Sequence, residues 1–81
     1  MRLPRDVSGA DLVKALRRLG YEVTRQRGSH VRLTATVEGR THHITVPDHG
    51  ALKTGTLNAI LKDVAARAGR SRDELIEMLF L

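Results

Sequence analysis

Residues 21–47 read YEVTRQRGSHVRLTATVEGRTHHITVP, and this stretch decides the fold. Its apolar residues recur at every second position, the period at which successive side chains of an extended strand reach opposite faces. Tyr21 and Val23 alternate with Glu22 and Thr24, and Val31, Leu33, Ala35 and Val37 alternate with His30, Arg32, Thr34 and Thr36. Gly28 and Ser29 separate the two runs with turn chemistry, which folds them back as a hairpin. A second turn at Glu38-Gly39-Arg40 leads into THHITV, where His42, Ile44 and Val46 share one face and Thr41, His43 and Thr45 take the other. Pro47 has no N–H to contribute to a ladder and ends the third strand.

On either side of this stretch the apolar period lengthens to that of a helix. Ser8, with Asp11 three residues on, has the form of an N-cap with a carboxylate in the first turn, and Leu12, Ala15, Leu16 and Leu19 follow before Gly20. The first helix is therefore expected over about 9–19, with Lys14, Arg17 and Arg18 on its polar side. After the loop PDHGALKTG at 47–55, Leu57, Ile60, Leu61, Val64, Ala65 and Ala68 trace a wide apolar stripe closed by Gly69. Thr54 or Thr56 is the expected cap. A last helix opens with the capping box Ser71-x-x-Glu74 and runs through Leu75, Ile76 and Leu79.

The order is helix, three antiparallel strands, helix, with a short C-terminal helix appended: an α+β domain. The two long helices must bury their stripes against one face of the sheet. The other face is left open, and strand alternation sends His30, Arg32, Thr34 and Thr36 to it, with His43 on the neighbouring strand.

The 81 residues have room for one core, and a single domain is expected over residues 1–81. That core must be mainly aliphatic, since Tyr21 and Phe80 are the only aromatics. Fourteen Lys and Arg against nine Asp and Glu give a net charge of +5, which points to a polyanionic partner. There is no Cys, so neither a disulfide framework nor a thiolate metal site can form. MRLPRDVSGADL at the start has no apolar segment of signal-peptide length, and no apolar run approaches the roughly 18 residues of a membrane span, so the reading is cytoplasmic.

Three landmarks then occur in order: Gly28-Ser29-His30 opening the second strand, Ile44-Thr45-Val46-Pro47-Asp48-His49, and Leu52-Lys53-Thr54-Gly55-Thr56-Leu57 leading to Ile60-Leu61-Lys62. With the flanking SGADLVKALRRLGY and SRDELIEML helices, the chain resembles the HicA (YcfA-like) toxin family of type II toxin-antitoxin systems over nearly its whole length. Those are small mRNA interferases with a double-stranded-RNA-binding-domain-like fold, αβββα with both helices on one face. The resemblance implies that His30, in the GSH motif, is catalytic, that the substrate is mRNA, and that a cognate HicB-type antitoxin holds the enzyme inactive. The doubled histidine of THHITV is not part of the family pattern.

The chemistry suits these residue types. RNA carries its own nucleophile, because the 2'-hydroxyl can attack the adjacent phosphorus and expel the 5'-oxygen; the enzyme then supplies proton transfer and charge stabilisation, and no metal is required. An imidazole exchanges protons near neutral pH, so His30 fits either as general base on the 2'-hydroxyl or as general acid on the leaving oxygen. Arg25, Arg27, Arg32 and Lys53 are candidates for holding phosphates and stabilising charge on the phosphorane. His43 and His49 are candidates for a second proton carrier. Lys53 and the N–H groups that start the second long helix read equally as a phosphate contact or as a plain helix cap.

Four histidines raise zinc, but His42 and His43 are adjacent on a strand and must point to opposite faces, and no helical HxxxH pair completes a ligand set. No metal or other cofactor is expected. The rival to an endoribonuclease is a non-catalytic double-stranded-RNA-binding module, which needs the same basic residues and no proton chemistry. A DNA-binding protein is a more distant third.

Overall fold

Two tight turns of different kinds build the sheet. In the computed structural model, which describes residues 3–81, Gly28 has φ 52° while Ser29 stays outside the left-handed region, the pattern of a type II' turn. Glu38 and Gly39 have φ 51° and 76°, so the second turn is of type I', with a glutamate accepting a left-handed backbone. The turns join β1 (Glu22–Arg27), β2 (His30–Val37) and β3 (Arg40–Pro47) in an antiparallel sheet with β2 at the centre. Arg40 already pairs with Val37, so the second loop holds two residues and β3 starts one residue earlier than expected. Pro47 is the last residue of β3 rather than its stop: it pairs with His30 at the end of an edge strand.

α1 (Gly9–Arg18) starts with a reciprocal cap. The Ser8 hydroxyl accepts from the Asp11 N–H at 3.0 Å, and the Asp11 carboxylate accepts from the Ser8 N–H at 3.1 Å. The same box, Ser71 with Glu74, opens α3 (Arg72–Phe80). α2 (Thr54–Ala68) differs: its N-cap is Lys53, and no side chain caps it, so neither Thr54 nor Thr56 has the expected role. The reason lies just upstream, where the Leu52 N–H donates to the Val7 carbonyl at 2.8 Å and fixes the chain so that it enters the helix at Thr54.

α1 and α2 cover one face of the sheet, and α3 packs against both of them. Leu12, Ala15 and Leu16 of α1 and Leu57, Leu61, Val64 and Ala65 of α2 are buried against Val31, Leu33, Ala35, Ile44 and Val46 in a single aliphatic core. α3 belongs fully to that core: Leu75, Ile76 and Leu79 are as buried as any residue of the long helices. It is tied at both ends, by Arg72 donating to the Asn58 side chain at 2.6 Å and by Arg18 donating to the Leu79 carbonyl at 2.5 Å. Val37 was expected to join the core and does not. It ends β2 at the rim of an open cavity that it lines with Val64 and Ala68 of α2 and Met78 of α3, and it is 57% exposed. Residues 1 and 2, the start of the expected single domain, lie outside the described residues.

Candidate functional site

The face of the sheet that no helix covers is organised in rows, because residues directly opposite each other in an antiparallel pair project to the same side. In the first row, at the Gly28-Ser29 end, Arg27, His30 and Pro47 lie side by side. The second row is Arg25, Arg32 and Thr45, and the third is Glu22, Thr34 and His43. His30, Arg25 and Arg27 are exposed and Arg32 partly so. Three guanidinium groups thus share with His30 two adjacent rows on an open surface.

The arginines reach that face through an irregularity that periodicity does not reveal. Val23 pairs with Leu33 on the helix side, and strict alternation would send Arg25 and Arg27 to the helix side as well. The register shifts between Val23 and Arg25, leaving Thr24 as an extra residue, a β-bulge. The bulge resets the parity: Arg25 pairs with Arg32 and Arg27 with His30, while Gln26 pairs with Val31 and turns toward α1.

Thr24 has its own contact on the open face. Its Oγ1 lies 2.8 Å from Thr34 Oγ1, which in turn lies 2.9 Å from His43 Nδ1, so one hydrogen-bonded chain crosses all three strands. His43 therefore shares the face of His30, but Thr34, its partner, stands four residues along β2 from His30. At the rise of an antiparallel strand this is about 13 Å. The structure does not bring His30 and His43 together.

His49 is reached differently. The loop after β3 is pinned by two backbone bonds: the Asp48 N–H donates to the Ser29 carbonyl at 2.6 Å, and the Gly9 N–H donates to the His49 carbonyl at 2.9 Å. His49 is exposed and lies two residues beyond Pro47, the partner of His30. Of the two candidates for a second proton carrier, it is the one whose backbone is fixed next to the first row. Lys53 is exposed at the N-cap of α2, where the first N–H groups of the helix have no side-chain acceptor.

His42 projects to the opposite side, as adjacency to His43 requires. Its Nδ1 lies 2.7 Å from the Tyr21 hydroxyl and its Nε2 3.2 Å from the Asp63 carboxylate, so one ring nitrogen ties β3 to the residue that precedes β1 and the other ties it to α2. Burial raises the Tyr21 pKa above the ordinary tyrosine value, with Arg67 opposing and Asp63 adding to the shift. Among the described residues no three His, Asp or Glu side chains are grouped as a metal site would need. No helix among them is long and apolar enough to cross a membrane.

The site residues, apart from the bulge, carry sequence signals: GSH marks His30, and the arginines are visible as charge. The Thr24 to Thr34 link has no such signal, since two threonines ten residues apart are unremarkable until the bulge sets them opposite each other. Compared with known families, residues 9–65 match the family model described as HicA toxin of bacterial toxin-antitoxin. The match runs from the start of α1 into the last turns of α2 and includes both open-face rows around His30. No curated protein and no solved structure matches.

Proposed function

The chain belongs to the HicA toxin family of bacterial toxin-antitoxin systems, a family that implies a cognate antitoxin as partner, and we propose that it acts as a metal-independent endoribonuclease on mRNA, in the cytoplasm, with His30 as its catalytic residue. The observation that carries this reading is the pair of rows Arg27-His30 and Arg25-Arg32 on a face that no helix covers. His30 is an exposed imidazole with three guanidinium groups in its own and the adjacent row, and such a set would supply one of the two proton carriers and the charge stabilisation that attack by a 2'-hydroxyl calls for.

In the proposed step the 2'-oxygen forms a bond to phosphorus as the bond to the 5'-oxygen breaks. The proton leaves the 2'-hydroxyl for a base, and an acid delivers one to the departing 5'-oxygen. His30 takes one of these roles. Arg25, Arg27 and Arg32 meet the charge that gathers on the non-bridging oxygens, which a planar guanidinium can do with two parallel hydrogen bonds. Lys53 extends the phosphate path. His49 is the better geometric candidate for the partner role, because the loop that bears it is bonded to Ser29, the residue before His30.

An antitoxin of the HicB type would silence such an enzyme by covering the first two rows. The competing reading is a non-catalytic module that binds duplex RNA with the same cations. Matched RNA and DNA strands in EDTA separate the two. We expect the RNA to be cut and the DNA, which has no 2'-hydroxyl, to stay whole; RNA left intact would favour the binding module.

A further inference from the structure

The open face has two halves of different character. Around His30 it is cationic, with Arg25, Arg27 and Arg32. Four residues further along β2 the row is Glu22, Thr34 and His43, with Thr24 beside it, and there is no cation in that row. A carboxylate among hydroxyls repels phosphate, whereas hydroxyl, imidazole and carboxylate together present the donors and acceptors that the edge of a nucleobase pairs with.

The second observation is the Thr24-Thr34-His43 chain. His43 and Thr24 are exposed, so water would satisfy their polar atoms equally well. A hydrogen bond at such a site adds little net stability, and holding three rotamers to make two bonds costs side-chain entropy. What the chain does supply is direction: with Nδ1 held by Thr34, the imidazole plane is set and Nε2 is left without a partner among the described residues. A strand of RNA with one phosphate at His30, running along β2, crosses the Arg25-Arg32 row before it reaches this ring. The separation of about 13 Å, set by the strand rise, rules His43 out as a proton carrier for the same phosphate.

We propose that His43 reads a nucleobase: its Thr34-oriented imidazole contacts a base no more than about four nucleotides from the linkage at His30, given a stacked-strand repeat of ~3.4 Å, and so makes cleavage selective. The inference rests on the proposed function, since it takes RNA to lie on this face. It places the specificity of the enzyme on the sheet rather than in a loop, with the cationic half holding the backbone and the hydroxyl half sampling the base.

The test uses a pool of RNA randomised in sequence, cut by the wild-type protein, by His43→Ala and by Thr34→Val, which keeps the shape of the side chain and loses the hydroxyl. The wild-type protein is expected to prefer certain bases by about fivefold or more at one position within the stated distance, the low end of what hydrogen bonding to a base edge discriminates. His43→Ala should flatten that position alone, with the loss on KM for preferred sites rather than on kcat, and Thr34→Val should move the same position in the same direction by less. An unchanged preference in His43→Ala overturns the inference. So does a fall in kcat at every linkage, the mark of a proton carrier, or a uniform rise in KM, the mark of a phosphate contact. Binding of the four homopolymeric ribo-oligonucleotides to the His30→Ala protein tests the inference without turnover. The affinities should differ among bases and converge when His43→Ala is added; affinities that stay apart overturn it even if the wild-type protein cuts nothing.

Discussion

A Cβ built on Gly9 would fall 2.0 Å from the carbonyl oxygen of Pro47. The first turn of α1 is pressed onto the end of β3 at the residue that faces His30 across the sheet, and the Gly9 N–H donates to the next loop carbonyl but one, that of His49. Only glycine permits this approach, and the atoms that would have to yield are backbone. Gly9→Ala is expected to lower stability by about 1–3 kcal/mol, the range for forced overpacking, seen as a lower urea midpoint at unchanged slope. It should also slow RNA cleavage, because Pro47 and the pinned loop move with it. Gly50→Ala is the control: nothing lies within 4 Å of a Cβ there, and an effect within about 0.5 kcal/mol is expected.

The bulge at Thr24 gives a prediction for binding. Because it turns Arg25 and Arg27 onto the face of His30, each should contribute to holding the RNA backbone. Arg25→Ala and Arg27→Ala should each reduce the slope of log affinity against log salt by about 1. Lys62→Ala, exposed on α2 on the other side of the sheet, should leave the slope unchanged. Equal slopes for all three variants would remove the arginines from the interface.

Tyr21 predicts an alkaline weakening with a definite sign. Burial raises its folded-state pKa, so the folded protein holds the phenolic proton more tightly than the unfolded chain does. The contribution is fully present below the ordinary tyrosine pKa of about 10 and is lost as pH rises through the raised value. Tyr21→Phe lacks that loss. Near neutral pH it should be less stable by about 0.5–1.5 kcal/mol for want of the bond to His42, and the gap should narrow above pH ~10. Urea titrations of both proteins at the two pH values measure this.

The two capping boxes predict the opposite limb. Hydrogen bonds from Ser8 to Asp11 and from Ser71 to Glu74 lower both carboxyl pKa values. Their stabilisation is present above the ordinary carboxylate range and disappears as pH falls through the lowered values. Asp11→Asn and Glu74→Gln should flatten the acid limb of a stability profile, and helix content followed by circular dichroism should fall less steeply with acid than in the unchanged protein.

What can be read from the sequence follows from where burial leaves a pattern. Val31, Leu33 and Ala35 alternate because one side of β2 is packed, and that alternation is enough to put His30 and Arg32 on the open face. β1 is exposed at every position, so TRQR has no apolar residue to mark parity and the bulge at Thr24 is silent. The Lys53 cap is hidden for a different reason: hydroxyls favour N-caps, but the bond from Leu52 to Val7 decides where the chain turns helical. That bond spans the domain, and no local rule contains it. The long separation of His43 from His30 likewise needs the register of β2 and β3, which face assignment alone does not give.

The central claim is that His30 performs the chemistry, and the most direct measurement is cleavage of a defined mRNA fragment in EDTA by the wild-type protein and by His30→Ala, with circular dichroism to confirm that both are folded. His30 is exposed, so the substitution should leave the fold intact. The account predicts cleavage by the wild-type protein and a loss of about 100-fold or more in rate with His30→Ala, the scale of general acid-base catalysis. A folded His30→Ala protein that cuts the RNA as fast as the wild-type protein would contradict it.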